Sequence, residues 1–139
     1  MTRPYDVEKV ERVYKLAREA SSTSYSPYSG FPVGAAVLTR SGKVYRGANV
    51  ENASYGLTIC AERVAIHNAI TAGDREIEIV AIYAEKGQSS SPCGACRQVI
   101  AEFGKDILVA YREGAELLVT TVASLLPSSF EYEEHITPE

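Results

Sequence analysis

The sequence predicts an α/β protein, a three-layer α/β/α arrangement around a mixed five-stranded sheet whose last two strands are antiparallel. Helix-spaced apolar positions alternate along the chain with short β-branched runs, the pattern of helices packed on a sheet. Glycine, proline and capping residues punctuate those segments where elements should start and stop. Only a few residues around Gly114 separate the last two apolar runs, whereas a parallel connection needs a dozen or more.

Taken in order, Asp6 can cap a first helix whose apolar positions Val10, Val13, Tyr14, Ala17 and Ala20 recur at helical spacing. Ser21 to Gly30 is rich in Ser, Tyr and Pro and reads as a loop. Pro32–Thr39 and Lys43–Val50 are strand-like, and Ser41-Gly42 between them reads as a hairpin turn. After a loop from Glu51 to Ile59, an alanine-rich helix begins near Cys60 and stops before Gly73. Ile77–Glu85 is a buried strand by its Ile and Val content. A further helix is expected over Pro92–Phe103, with proline in its first turn and Gly104 past its end. The final strands are Ile107–Arg112 and Glu116–Thr121, followed by a short helical turn around Leu125, Leu126 and Pro127.

With 139 residues, 45% of them hydrophobic and 23% charged, the chain is expected to form one domain over 1–139. The charged start, Met-Thr-Arg-Pro-Tyr-Asp, argues against a signal peptide, and no apolar run approaches the roughly 20 residues of a membrane span. The cysteine count is odd, which argues against a disulfide framework and for a cytoplasmic protein with reduced thiols. The net charge is −4 and the cations are scattered, so no basic stripe for nucleic acid is visible. A small neutral ligand suits that balance better than a polynucleotide or a membrane.

All the cysteines fall in two stretches, Leu57-Thr-Ile-Cys-Ala-Glu-Arg63 and Ser91-Pro-Cys-Gly-Ala-Cys-Arg-Gln98, each entering a predicted helix from a loop. Cys93 and Cys96 are spaced to share a helix face. Helix N-termini favour thiolates. Three thiolates suit Zn²⁺ and leave a fourth tetrahedral position for water. A closed structural site would need a fourth ligand: His67 lies two turns down the helix from Cys60, and His135 is in an acidic tail. Cys-x-x-Cys opening a helix is also thioredoxin-like, but a dithiol exchanger has no use for a third cysteine followed by Ala-Glu. Glu62 could simply favour the helix dipole; beside three such cysteines it becomes a candidate general base. Arg63 can donate to a thiolate and offset the excess negative charge of three thiolates on a dication; otherwise it forms a surface ion pair.

Together, Cys60-Ala-Glu62 and Pro92-Cys-Gly-Ala-Cys96 resemble the signature of the zinc nucleoside and nucleobase deaminases. Further blocks are similar to the small, homotetrameric cytidine deaminases: Tyr25–Ala36, Asn49–Arg63, Cys96-Arg-Gln98 and Leu125–Phe130. The likeness runs from about Val10 to Phe130; Ala48 departs from the cysteine many relatives carry there, which is not a zinc ligand. The resemblance implies one Zn²⁺ per chain on Cys60, Cys93 and Cys96, with Glu62 shuttling protons. It implies that Phe31 stacks on the pyrimidine and that Asn49 and Glu51 bind the ribose 3′-hydroxyl. It further implies that the Ala61 amide meets the base carbonyl, that the Ser91 carbonyl lies near departing ammonia, and that Tyr55 and Phe130 reach a neighbouring subunit's pocket.

The implied activity is hydrolytic deamination of cytidine and 2′-deoxycytidine to uridine products and ammonia, a step of pyrimidine salvage. The alternatives are a deaminase of a related nucleoside or nucleoside antibiotic, a polynucleotide-editing deaminase, and a non-catalytic zinc-binding module. The short Gly114 connection speaks against the editing class, and the Asn49/Glu51 pair against an antibiotic substrate.

Overall fold

A computed structural model describes residues 5–132. Helix α1 (Val7–Ala20) is capped by Asp6, whose side chain accepts the Lys9 amide hydrogen at 3.2 Å. It closes in a single 3₁₀ turn, Ser21–Thr23. Strands β1 (Val33–Thr39) and β2 (Val44–Ala48) form the expected antiparallel hairpin. Helix α2 (Ala61–Thr71), β3 (Ile77–Ala84), α3 (Gly94–Phe103), β4 (Leu108–Glu113), β5 (Glu116–Thr121) and the short α4 (Val122–Leu125) complete the chain.

The sheet has the order β2-β1-β3-β4-β5. Only β3 and β4, joined through α3, run parallel; β4 and β5 are antiparallel, as the short connection requires. Each sheet face buries its own cluster, which makes the three layers. On one face Val10, Val13 and Ala17 of α1 pack against Ala36, Leu38, Ile79, Ala81 and Ala110. On the other, Ala61, Ala65, Ile66 and Ala69 of α2, Ile100 of α3 and Val122 of α4 cover Ala35, Val37, Val80, Ile82 and Val109. Alternate residues along β1 and β3 therefore enter opposite cores.

The alanine-rich face of α2 lets it sit directly on the hairpin. At Gly47 of β2, an added Cβ would lie 2.4 Å from the Ala65 nitrogen, so only glycine permits that approach. Asp74, just past α2, accepts hydrogen bonds from Thr39 and Ser41 hydroxyls (both 2.7 Å) and from Tyr45 (3.1 Å). One carboxylate thus ties the end of α2 to both strands of the hairpin.

Three boundaries differ from the sequence expectation by two residues or more. Helix α3 begins at Gly94 rather than Pro92, because Cys93 takes the cap with extended backbone (φ −68°, ψ 170°). The last helical turn lies at Val122–Leu125, since Leu126 before Pro127 leaves the helical region (φ −142°, ψ 76°). Strand β2 stops at Ala48, because the Asn49 side chain turns into the hydrogen bonds described below.

Candidate metal centre and active site

Helices α2 and α3 each begin on a cysteine in the cap position, Cys60 (ψ 151°) and Cys93 (ψ 170°). Both sulfurs thus sit at helix starts, where the free amides and macrodipole favour negative charge. Cys93 Sγ accepts the amide hydrogen of Cys96 at 3.4 Å, and the Cys60 and Cys93 sulfurs lie 4.0 Å apart. All three sulfurs are within 4.8 Å of one another. A tetrahedral zinc with sulfurs at ~2.3 Å spaces them about 3.8 Å apart, so the trio fits the ion with little adjustment. Among the described residues no histidine joins this cluster; His67 is exposed, and His135 lies outside the described residues.

Charge is already organised around the sulfurs. The Cys60 thiol is pulled down to about 5, first by its hydrogen bond with Cys96 and then, against burial, by Arg63. Cys96, buried and donating toward Cys60, is pushed up. Neighbouring thiols and the Arg63 cation thus favour negative charge at Cys60. Arg63 Nη2 approaches the Cys60 sulfur at 3.5 Å, and its Nε is buried without a hydrogen-bond partner among the described residues.

Glu62, in the first turn of α2, is 4% exposed. Burial pushes its carboxyl up to about 7, with the Cys60 charge adding to the rise and its own backbone amide opposing it. A carboxyl poised there can both take and return a proton near neutral pH.

The cavity beside these groups measures about 200 Å³. Phe31, Asn49, Cys60, Ala61, Glu62, Ser91 and Cys93 from the sequence reading all line it, as do Thr58, Ile82, Ser89 and Ser90, which that reading missed. Ser90 is buried and spans β3 and β4, donating to the Ile82 carbonyl at 2.9 Å and accepting from the Arg112 amide at 2.7 Å. In a run of three serines nothing singles it out.

Asn49 is largely spent on shaping the entrance. Its Oδ1 accepts from Ser24 Oγ (2.5 Å) and the Val33 amide (2.9 Å), and its Nδ2 donates to the Phe31 carbonyl at 2.9 Å. One Nδ2 hydrogen remains for a ligand. Glu51 accepts from the Tyr28 and Ser29 amides and from the Ser29 hydroxyl, which lowers its pKa. Glu51 and Tyr55 line a neighbouring hollow of about 400 Å³ with Tyr28, Ser29 and Thr58, rather than the sulfur cavity. Phe130 is held by Gln98, whose amide donates to the Phe130 carbonyl (2.9 Å) and accepts its N–H (3.1 Å). The rings of Tyr55 and Phe130 stand 76% and 73% exposed.

A mixed sheet carrying three converging sulfurs and a buried carboxyl at two helix N-termini defines a zinc-binding α/β domain. Residues 7–111 match the model of the cytidine and deoxycytidylate deaminase zinc-binding region. The chain is 46% identical to the cytidine deaminase of Sporosarcina psychrophila over 93% of its own length and 94% of the relative's. With the cytidine deaminase of Halalkalibacterium halodurans the identity is 43%, covering 89% and 96%. The crystal structure of cytidine deaminase from Burkholderia pseudomallei superposes with a TM-score of 0.81 at 44% identity, covering 86% of this chain and 98% of that one. The chain therefore belongs to the cytidine and deoxycytidylate deaminase zinc-binding family. Its cofactor is zinc, which the sulfur spacing accommodates.

Proposed function

We propose that this protein is a zinc-dependent hydrolase that converts cytidine and 2′-deoxycytidine to uridine and 2′-deoxyuridine with release of ammonia. The observation that carries this reading is the Glu62 carboxyl, 4% exposed, lining the same small cavity as Cys60 and Cys93. Relatives named cytidine deaminase, 43–46% identical over most of the chain, support the substrate. A non-catalytic zinc module would have no use for a carboxyl kept near neutrality at that position, and an antibiotic substrate is not favoured by those relatives.

In this reading Cys60, Cys93 and Cys96 hold the ion, which supplies the Lewis acidity that makes water a nucleophile near neutral pH. Arg63 steadies the Cys60 thiolate. Phe31 packs on the pyrimidine face and the Ala61 amide donates to the base carbonyl, setting C4 toward the sulfurs. Glu62 takes a proton from the attacking water and gives it to ring N3. It then carries the proton of the hydroxyl newly added at C4 to the C4 amine, so that the C4 carbonyl forms as the C–N bond breaks and ammonia leaves past the Ser91 carbonyl. Asn49, through its remaining Nδ2 hydrogen, and Glu51 bind the ribose 3′-hydroxyl, and a site built to pair that hydroxyl rejects analogues lacking it.

The exposed rings of Tyr55 and Phe130 support a homotetramer in which each reaches a neighbouring subunit's cavity. One domain over 1–139 is the reading, supported by the single sheet that both cores of residues 5–132 share. Its free thiols suit the reducing cytoplasm. Incubating the purified protein with cytidine and with 2′-deoxycytidine, while following the ultraviolet change and released ammonia, tests the reading. Stoichiometric zinc with no ammonia from either nucleoside would overturn it.

A further inference from the structure

The loop between β3 and α3 forms one side of the cavity, and a single side chain from β4 organises it. The Arg112 guanidinium donates Nη1–H to the Gly114 carbonyl at 2.6 Å, and Nη2–H to the carbonyls of Ala84 (3.1 Å), Gly87 (2.9 Å) and Lys86 (3.4 Å). Its backbone brackets Ser90 as well: the Arg112 amide donates to Ser90 Oγ, and the Ser90 amide donates to the Arg112 carbonyl at 2.9 Å. The Gly114 amide completes the grip on the Gln88 carbonyl at 2.7 Å.

This grip ends at an aromatic ring. Gly87 has φ +84°, and a Cβ added there would lie 3.1 Å from Phe31 Cζ, so the loop backbone rests against the ring. Lys86, the neighbouring residue, donates Nζ–H to the Gly30 carbonyl at 2.9 Å, joining the loop to the segment that carries Phe31. The Phe31 ring is thus bounded by a backbone stretch whose carbonyls converge on one planar fork. A guanidinium can satisfy several acceptors in a fixed geometry, which an ammonium cannot.

We propose that Arg112 is a positioning residue for the base-binding face: by fixing the Ala84–Gln88 loop it sets the Phe31 ring at the distance a pyrimidine needs. This rests on the reading that Phe31 packs on the base. Among the described residues, Arg112 makes no hydrogen bond to the sulfurs or to Glu62. Its loss therefore acts on substrate binding more than on turnover.

The test is a cycle of Arg112→Met, Phe31→Ala and the double variant, each measured for kcat and KM with cytidine and for zinc per chain. Arg112→Met is expected to raise KM about tenfold, with kcat altered by roughly twofold at most and zinc retained. In the Phe31→Ala background the same substitution leaves KM unchanged, because no ring remains to be displaced. Arg112→Lys, which keeps the charge without the fork, gives an intermediate KM and carries the cycle should the Met variant fail to fold. The same proportional rise in KM with and without Phe31, a loss confined to kcat, or an unchanged KM would overturn the role given to Arg112. An unchanged KM in Phe31→Ala alone would overturn the base-stacking reading together with it.

Discussion

Arg63 reaches back along the first turn of α2 to place Nη2 3.5 Å from the Cys60 sulfur. The contact stabilises thiolate at the helix cap and leaves Glu62, between the two, to face the cavity without an ion-pair partner among the described residues. A hydrogen-bonded cation for the sulfur, and burial without an ion pair for the carboxyl, separate the two acidic groups into ligand and proton carrier.

Glu62→Gln keeps the size and most of the polarity of the side chain but removes the titrating group. The variant should fold, retain zinc and bind nucleoside, while kcat falls by at least ~10²–10⁴-fold. A steady-state assay with cytidine beside a zinc determination checks this; near-normal turnover would remove Glu62 from the mechanism.

Cys96 is fully buried, with its sulfur in the trio. Cys96→Ser should lose zinc and activity together, and a chelator should lower the melting temperature of the parent protein much more than that of the variant. Metal-linked stability follows from binding to the folded state alone. Paired melting curves with and without chelator measure the difference.

Gly47→Ala sets a methyl group against the backbone of α2, 2.4 Å from the Ala65 nitrogen. Backbone cannot swing aside as a side chain can, so destabilisation of about 1–3 kcal/mol or more is expected. Gly56→Ala, where an added Cβ meets nothing within 4 Å, is the control and should melt close to the parent.

Asp74 has its carboxyl lowered, first by the Ser41 hydroxyl and then by that of Thr39. A group whose folded pKa is depressed adds stability above its unfolded pKa, and that stability is lost as pH falls through the folded value. Asp74→Asn should therefore melt below the parent at neutral pH, with the gap closing in the acidic range. Thermal melts across pH would show a constant gap if the Asp74 bonds owed nothing to its charge.

Much of the architecture was legible because its causes are local. The Val and Ile runs, the Ser41-Gly42 turn and the short link at Gly114 each act within a few residues, and the strands and hairpins follow them. The start of α3 was displaced because proline is favoured in a helix's first turn, yet the Cys93 sulfur caps the Cys96 amide and leaves Pro92 outside. The roles of Ser90 and Arg112 left no mark in the sequence, since their partners come from other strands and loops.

By itself, then, the chain declared its elements and the sulfur and carboxyl groups suited to zinc chemistry, because residue type and short spacing set caps, turns and ligand character. Only the packing of α2 and α3 on a β2-β1-β3-β4-β5 sheet decided that Cys60 and Cys93, 33 residues apart, would lie 4.0 Å from each other. Only the fold, likewise, withdrew the Glu62 carboxyl from water and raised its pKa toward neutrality. Distance through space and local dielectric depend on which elements become neighbours, and that depends on the whole core closing at once.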